Sequence, residues 1–233
     1  PLGYSISPKE LEDFTNRNSL ILINDVCESL GSWREGKHAG TSGIGGSFSF
    51  YFSHHITTME GGGVATNDDL FADDLRSIRS HGWSRDRNDV KDWTSGVSGS
   101  DSKFLFVSTG YNIRPMEIQA AIGRSQIKDI DSFISRRRAI AEMVNSSIQG
   151  TKLELIDAGA FTNSSDFNHS WMLLPLQVMG PDAARKKHEI IAALENAGDS
   201  PILIIGGGTN MLISDAGFAG TVIRISNNQV KEE

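Results

Sequence analysis

The chain has 233 residues, 38% of them hydrophobic and 22% charged, with a formal net charge of −7. That composition is ordinary for a globular protein, and its acidity argues against the basic face that nucleic acid or an anionic membrane requires. The one cysteine, Cys27, excludes an internal disulfide and a multi-cysteine metal site. No apolar run approaches membrane-spanning length, so a cytoplasmic setting is expected.

The sequence opens at Pro1-Leu2-Gly3 and reads as starting inside a domain, so a fragment is expected. Ser7 as a cap and Pro8 in the first turn predict a helix over Pro8–Asn18, with Leu11 and Phe14 on one face. Ser19–Asn24 is an apolar run ending before Asp25, the pattern of a strand buried on both faces of a parallel sheet. The polar, glycine-rich Ser32–Gly46 predicts a loop. Aromatic Phe48–Phe52 predicts a buried strand that leaves through Ser53-His54-His55 into a polar turn ending at Gly61-Gly62-Gly63.

Val64–Thr66 predicts a short strand, and Asp68–His81 a helix capped by Asn67 or Asp68 with a Leu70, Leu75, Ile78 stripe. Gly82–Ser108 predicts a long surface loop. After Tyr111-Asn112-Ile113-Arg114-Pro115, the spacing of Met116, Ile118, Ile127, Ile130 and Ile134 predicts one long helix to about Ser147. Arg136, Arg137 and Arg138 fall on its solvated face. Leu153–Ile156 and Trp171–Val178 predict strands, Ala183–Asn196 a helix, and Pro201–Ile205 a further strand.

A cluster of reactive side chains where a strand ends is the usual place for chemistry in an α/β protein. Asp25 ends a strand, where it serves either as a functional carboxylate or as a turn and capping residue. His54 is able to move protons near neutral pH. Ser49 is either a phosphate ligand or a serine satisfied by backbone, Asn112 a ligand or a helix cap, and Glu28 a site residue or a solvated glutamate.

Asp25, the run Phe48–Gly63 with Ser49 five residues before His54, and Gly110-Tyr111-Asn112-Ile113-Arg114 resemble the nucleotide-sugar aminotransferases of the DegT/DnrJ/EryC1/StrS group. These are fold-type I enzymes of pyridoxal 5′-phosphate (PLP). The resemblance implies an α/β fold of the aspartate-aminotransferase kind, with part of the PLP-binding large domain at 1–148 and part of a small α+β domain at 149–198. It implies that Asp25 keeps the pyridine nitrogen protonated, that Ser49 holds the phosphate, and that Glu28 lies near the ring's edge. Asn112 would reach the phosphate of the neighbouring subunit, which implies a homodimer with a shared site.

His54 stands where the family carries the lysine that binds the cofactor covalently. That departure resembles the 3-dehydratase branch, and the runs Ser80–Arg85 and Gly110–Pro115 are similar to its GDP-4-keto-6-deoxymannose 3-dehydratases. Their implied partners are a nucleotide-diphosphate sugar and L-glutamate, which converts PLP to pyridoxamine 5′-phosphate (PMP). His54 would then handle the C4′ proton as the C3 hydroxyl of a 4-keto-6-deoxyhexose leaves, a step of deoxysugar and lipopolysaccharide O-antigen synthesis. His55 would be supporting. The other dehydratase branch carries an iron–sulfur cluster, which Cys27 alone cannot hold.

The tail differs. Gly206-Gly207-Gly208-Thr209-Asn210, after Pro201–Ile205, resembles the FAD pyrophosphate-binding segment of UDP-N-acetylenolpyruvoylglucosamine reductases, so 199–233 is expected to be foreign to the rest. Two other readings are a sugar aminotransferase relative that has lost its lysine, and an FAD-binding reductase fragment.

Overall fold

The computed structural model describes residues 3–156, 167–196, 202–206 and 221–225, the last two as backbone strands. They fall into two units, Pro1–Gln149 with Leu155–Leu176, and Gly150–Glu154 with Gln177–Glu233.

The first unit begins with α1 (Pro8–Arg17), where the Ser7 hydroxyl accepts from the Glu10 N–H at 3.2 Å. The chain then reverses at Ser19, whose φ is 52°, and the Leu20 N–H returns 2.9 Å to the Thr15 carbonyl. That turn consumes the start of the apolar run, so β1 spans only Ile23–Asp25. The expected doubly buried strand is corrected: β1 lies at the edge of the sheet among the described strands, and Ile21 and Ile23 are 77% and 61% exposed.

The expected loop Ser32–Gly46 contains a hairpin, β2 (Trp33–Arg34) and β3 (Lys37–His38). Its central Glu35 and Gly36 have φ of 54° and 73°, the left-handed pair that matches strand twist in a two-residue turn. β4 (Gly45–Ser49) runs parallel to β1, placing Asp25 opposite Ser47. β5 (Gly62–Ala65) runs antiparallel to β4, with Ser49 opposite Gly62. The sheet order is β1-β4-β5. The aromatic strand therefore starts earlier than its composition predicts and ends at Ser49, leaving Phe50, Tyr51 and Phe52 in the connection.

α2 (Asp69–Ile78) is capped by Asp68, whose carboxylate accepts from the Phe71 N–H at 2.7 Å. The long segment that follows is pinned rather than loose and contains a short helix, α3 (Val90–Thr94). The buried Arg87 guanidinium reaches Asp74 at 2.7 Å and Asp89 at 2.6 Å, and the Asp73 carboxylate accepts from the Asn88 and Asp89 N–H groups.

The single long helix is two, α4 (Glu117–Gln126) and α5 (Ile130–Ser147), separated by a 3₁₀ turn over Ile127–Asp129. Arg137 is not solvated with its neighbours: it is half-buried and donates to the carbonyls of Trp171 and Met172 at 3.0 and 3.2 Å. β6 (Leu153–Leu155) is followed by β7 (Phe167–Asn168), which pairs antiparallel with β2, and by β8 (Leu176–Val178). The expected strand over Trp171–Val178 is thus reduced to its last three residues. Trp171 has φ 51°, a left-handed conformation that breaks an extended run. Its ring is buried with Ala141 and Leu155, and Ile148 and Leu174 pack against them.

β6 pairs with β8. In the second unit α6 (Ala183–Asn196) follows, and β9 (Ile202–Gly206) pairs in parallel with β10 (Thr221–Ile225). Gly207, Gly208, Thr209 and Asn210, on which the FAD resemblance rests, lie outside the described residues. No helix among the described residues is long and apolar enough to cross a membrane.

Candidate active site

β1 and β4 run side by side in the same direction, so both end at the same rim of the sheet. Asp25 closes β1 and is exposed at that rim. Its Oδ1 accepts from the Cys27 N–H at 3.1 Å, forming a tight turn after the strand. Hydrogen bonds from the Cys27 thiol and N–H hold the Asp25 carboxyl below the usual carboxylate range, with a smaller contribution from His54. Asp25 is therefore ionised at neutral pH. Desolvation, with Asp25 beside it, pushes the Cys27 thiol up to about 11, so Cys27 is a protonated donor and not a nucleophile.

Ser49 closes β4, and its oxygen accepts from the Tyr51 N–H at 3.3 Å. The connection then folds back on itself. Phe50 N–H reaches the Gly61 carbonyl at 2.9 Å, Thr58 N–H the Phe50 carbonyl at 2.8 Å, and His54 N–H the Tyr51 carbonyl at 3.0 Å. His54 is half-buried on this turn with the Tyr51 ring edge-on, centroids 6.1 Å apart. Its Nδ1 is buried and has no hydrogen-bond partner among the described residues. The turn that carries His54 thus leaves the same rim of the sheet at which Asp25 ends β1.

His55 turns the other way. It is 4% exposed, and its Nε2 lies 3.1 Å from the Ser170 carbonyl oxygen. Burial, with Arg137 nearby, pushes its pKa down to about 4, and Glu28 acts on it in the opposite sense. Glu28 is half-buried and near enough to His55 to act on its charge.

Asn112 is brought in by a separate device. The backbone of 105–113 is laddered onto the end of α2: Tyr111 N–H to Ile78 O at 2.7 Å, His81 N–H to Tyr111 O at 2.8 Å, and Ile113 N–H to Arg79 O at 3.1 Å. The approach is so close that a Cβ at Gly82, where φ is +85°, would strike the Ser108 carbonyl, and one at Gly110 would strike the Gly82 nitrogen. Asn112 bridges to Ser80 and is exposed. It caps no helix, because α4 begins after Met116. The structure does not bring its side chain into contact with Asp25, Ser49 or His54.

Two glutamines that the sequence reading passed over clamp the His54 turn from α4. Gln126 bonds both backbone groups of Thr57, and Gln119 Nε2 donates to the Glu60 carbonyl at 2.6 Å. They are seven residues apart, two helical turns, and so share a face. A separate cleft of about 500 Å³ is lined by Trp33, His38, Phe48, Ile134, Arg138 and Asn168, among others, and by none of the five candidate residues.

The rim has what a PLP-type cofactor asks for: an ionised carboxylate, a serine hydroxyl at the end of the adjacent strand, and an imidazole whose buried Nδ1 has no hydrogen-bond partner among the described residues. It has no lysine on the His54 turn.

Comparison with known proteins agrees with this chemistry. The GDP-4-keto-6-deoxy-D-mannose 3-dehydratase of Escherichia coli O55:H7 is 43% identical over 144 residues, 60% of this chain and 37% of that protein. The solved E. coli GDP-4-keto-6-deoxy-D-mannose-3-dehydratase with bound hydrated PLP superposes with a TM-score of 0.71 at 34% identity, covering 84% of this chain and 49% of that one. A solved GDP-4-keto-6-deoxymannose-3-dehydratase with a trapped PLP-glutamate geminal diamine gives a TM-score of 0.71 at 34% identity, over 84% of this chain and 50% of that one. The chain thus spans half or less of the length of these relatives, and its α/β fold is that of the PLP-dependent aminotransferase-like enzymes. The profile of the DegT/DnrJ/EryC1/StrS aminotransferase family matches residues 2–200, and the chain belongs to that family.

Proposed function

We propose that this chain carries the cofactor-facing part of a sugar 3-dehydratase. The reaction removes the C3 hydroxyl of a nucleotide-linked 4-keto-6-deoxyhexose in deoxysugar and O-antigen synthesis, with L-glutamate as amino donor. The observation that carries the reading is His54, a half-buried imidazole on the turn after Ser49, with the ionised Asp25 ending the parallel neighbouring strand; by the family resemblance it takes the place of the lysine. The relatives' names point to the GDP-linked sugar, and the PLP–glutamate adduct of one of them to the donor.

PLP, when bound, supplies an electron sink for cleavage next to the substrate nitrogen. Asp25 keeps the pyridine nitrogen protonated. The Ser49 hydroxyl holds the phosphate, and Glu28 flanks the ring. Asn112, exposed on its own ladder, serves the site of a second copy, so the working unit is a homodimer in the cytoplasm. His54 holds and moves the proton at C4′. An imidazole has no amine with which to bind the cofactor covalently, so the site is built for loss of the C3 hydroxyl rather than for delivery of an amino sugar. We assign the large-domain part to 1–148 and the small-domain part to 149–198. The family match ending at residue 200 supports a separate origin for 199–233.

The test is an absorption spectrum of the protein with PLP before and after L-glutamate, with borohydride reduction and mass spectrometry alongside. Loss of the aldehyde band without a covalent adduct supports the reading, and a His54→Lys variant then traps the cofactor. A lysine adduct in the unsubstituted protein would sink it. Release of an amino sugar, rather than a 3-deoxy sugar, from a GDP-4-keto-6-deoxyhexose would do the same.

A further inference from the structure

We infer that His55 is a positioning residue that anchors the turn presenting His54. The inference rests on the reading of His54 as the proton carrier. Neighbouring side chains on a turn divide their work by direction. His54 remains half-buried at the sheet rim, whereas His55 plunges inward to 4% exposure. There its Nε2 meets the Ser170 carbonyl at 3.1 Å. A carbonyl oxygen only accepts, so the Nε2 carries the proton and His55 is the neutral Nε2–H tautomer.

Ser170 is a firm anchor. It is fully buried, and its N–H reaches the Ser32 hydroxyl oxygen at 3.0 Å and the Gly3 carbonyl at 3.1 Å. The Ser32 and Ser170 hydroxyls are 2.9 Å apart, and Ser32 is itself 0% exposed. On the far side, Arg137 from α5 donates to the next two carbonyls, Trp171 and Met172, at 3.0 and 3.2 Å. His169 adds to the rigidity by stacking on Trp171 with ring centroids 4.0 Å apart and accepting the Trp171 N–H at its Nδ1.

The turn is therefore tied at three places to elements far away in sequence, at His55 to the 167–172 segment, at Thr57 to Gln126 and at Glu60 to Gln119. The first tie is one residue from the imidazole that must meet the C4′ proton, so its loss moves His54 directly. Protonation of His55 would place a buried charge beside Arg137 and leave the Nδ1–H unpartnered, since Nδ1 has no partner among the described residues.

The experiment is long-range ¹H–¹⁵N NMR of the imidazoles in the full chain, without cofactor, for the unsubstituted protein, His55→Gln and His55→Phe. Gln places an N–H near the position of Nε2 and keeps the bond to Ser170; Phe keeps the volume without a donor. We expect the Nε2–H tautomer at His55 in the unsubstituted protein and a His54 titration that overlays in His55→Gln. In His55→Phe the His54 midpoint moves by about half a pH unit or more, or its tautomer ratio changes. With cofactor, Phe lowers the glutamate half-reaction by about tenfold at unchanged glutamate KM, and Gln restores it. An Nδ1–H tautomer at His55, a His54 titration indifferent to Phe, or a Gln variant that behaves like Phe would overturn the inference. Should His55→Phe fail to fold, the tautomer and the Gln overlay decide alone. The NMR arm needs no turnover, so a protein with the expected spectra that traps PLP on a lysine refutes the functional reading and leaves the anchor standing.

Discussion

Gln126 closes a two-bond ring on Thr57: its Oε1 accepts the Thr57 N–H at 3.0 Å and its Nε2 donates to the Thr57 carbonyl at 2.7 Å. One side-chain amide thus replaces the strand partner that Thr57 lacks. Gln126→Leu leaves both backbone groups half-buried and unpaired, which costs about 1–3 kcal/mol. Because the loss is local, amide exchange at Thr57 and Thr58 should accelerate about tenfold or more while α1 and α5 stay protected. Gln126→Glu keeps the acceptor and loses the donor, so it should fall between the two. Exchange that rises uniformly over the chain would contradict a local clamp.

The depressed pKa of His55 sets an acid limit on the first unit. Unfolded, a histidine titrates near 6.5; folded, burial and Arg137 hold His55 at about 4, with His54 adding to the depression and Glu28 opposing it. Between those values the unfolded chain binds more protons, so stability rises with pH across the window. The stabilisation is complete above about pH 6.5 and is lost as pH falls toward 4, on the order of 3 kcal/mol in all. Denaturant midpoints at several pH values measure this. The slope in that window should flatten in His55→Gln, whereas the carboxylates held ionised by their partners act mainly at lower pH.

The strand end that bears Asp25 was legible, because an apolar run stopping at a polar residue marks a sheet rim, whereas the end of β4 at Ser49 was hidden by Phe50, Tyr51 and Phe52, aromatic residues that continue the strand-like composition. His54 was legible only through its setting in a longer motif. Composition did not disclose that β1 lies on an edge, since pairing is decided by strands distant in sequence. Nor did it disclose the left-handed Trp171, which a β-favouring residue type hides and buried packing imposes. Gln119 and Gln126 read as two polar residues on an ordinary helix. Their seven-residue spacing is visible, but the backbone they grip lies some sixty residues away. His54 and His55 are chemically identical in the sequence, and the structure separates them by burial, His54 half-buried and His55 4% exposed.

Arg87 organises the segment between α2 and α4. Its side chain is 5% exposed, it forks onto both oxygens of Asp89 at 2.6 and 2.9 Å, and it reaches Asp74 at 2.7 Å. The fork holds the Asp89 carboxyl down at about 2. Both partners are more exposed than Arg87 and recover hydration when it is lost, so Arg87→Met should cost about 1–2 kcal/mol rather than the full penalty of a broken buried pair. The diagnostic effect is regional: limited proteolysis should cut between residues 84 and 104 faster, with Asn112 less firmly laddered. An unchanged cleavage pattern would show that the backbone bonds alone hold the segment.

Asp25 separates the structural from the chemical role of a strand-end carboxylate. Its Oδ1 serves the Cys27 N–H at 3.1 Å, a bond that an asparagine side-chain carbonyl makes equally well. Asp25→Asn should therefore keep the turn and the fold, with a melting temperature within a few degrees of the unsubstituted protein. What it removes is the negative charge held below the usual carboxylate range by the Cys27 hydrogen bonds. A neutral amide cannot keep a pyridine nitrogen protonated, so the glutamate-driven bleaching of the PLP aldehyde band should slow about a hundredfold or more, with cofactor affinity also reduced. Asp25→Ala loses both functions and should also loosen the Cys27 turn, seen as faster amide exchange at Cys27, whose N–H loses its acceptor. If Asp25→Asn converts the cofactor at an undiminished rate, Asp25 is a turn residue, and the carboxylate that serves the ring must be sought elsewhere at the rim, with Glu28 the first to substitute.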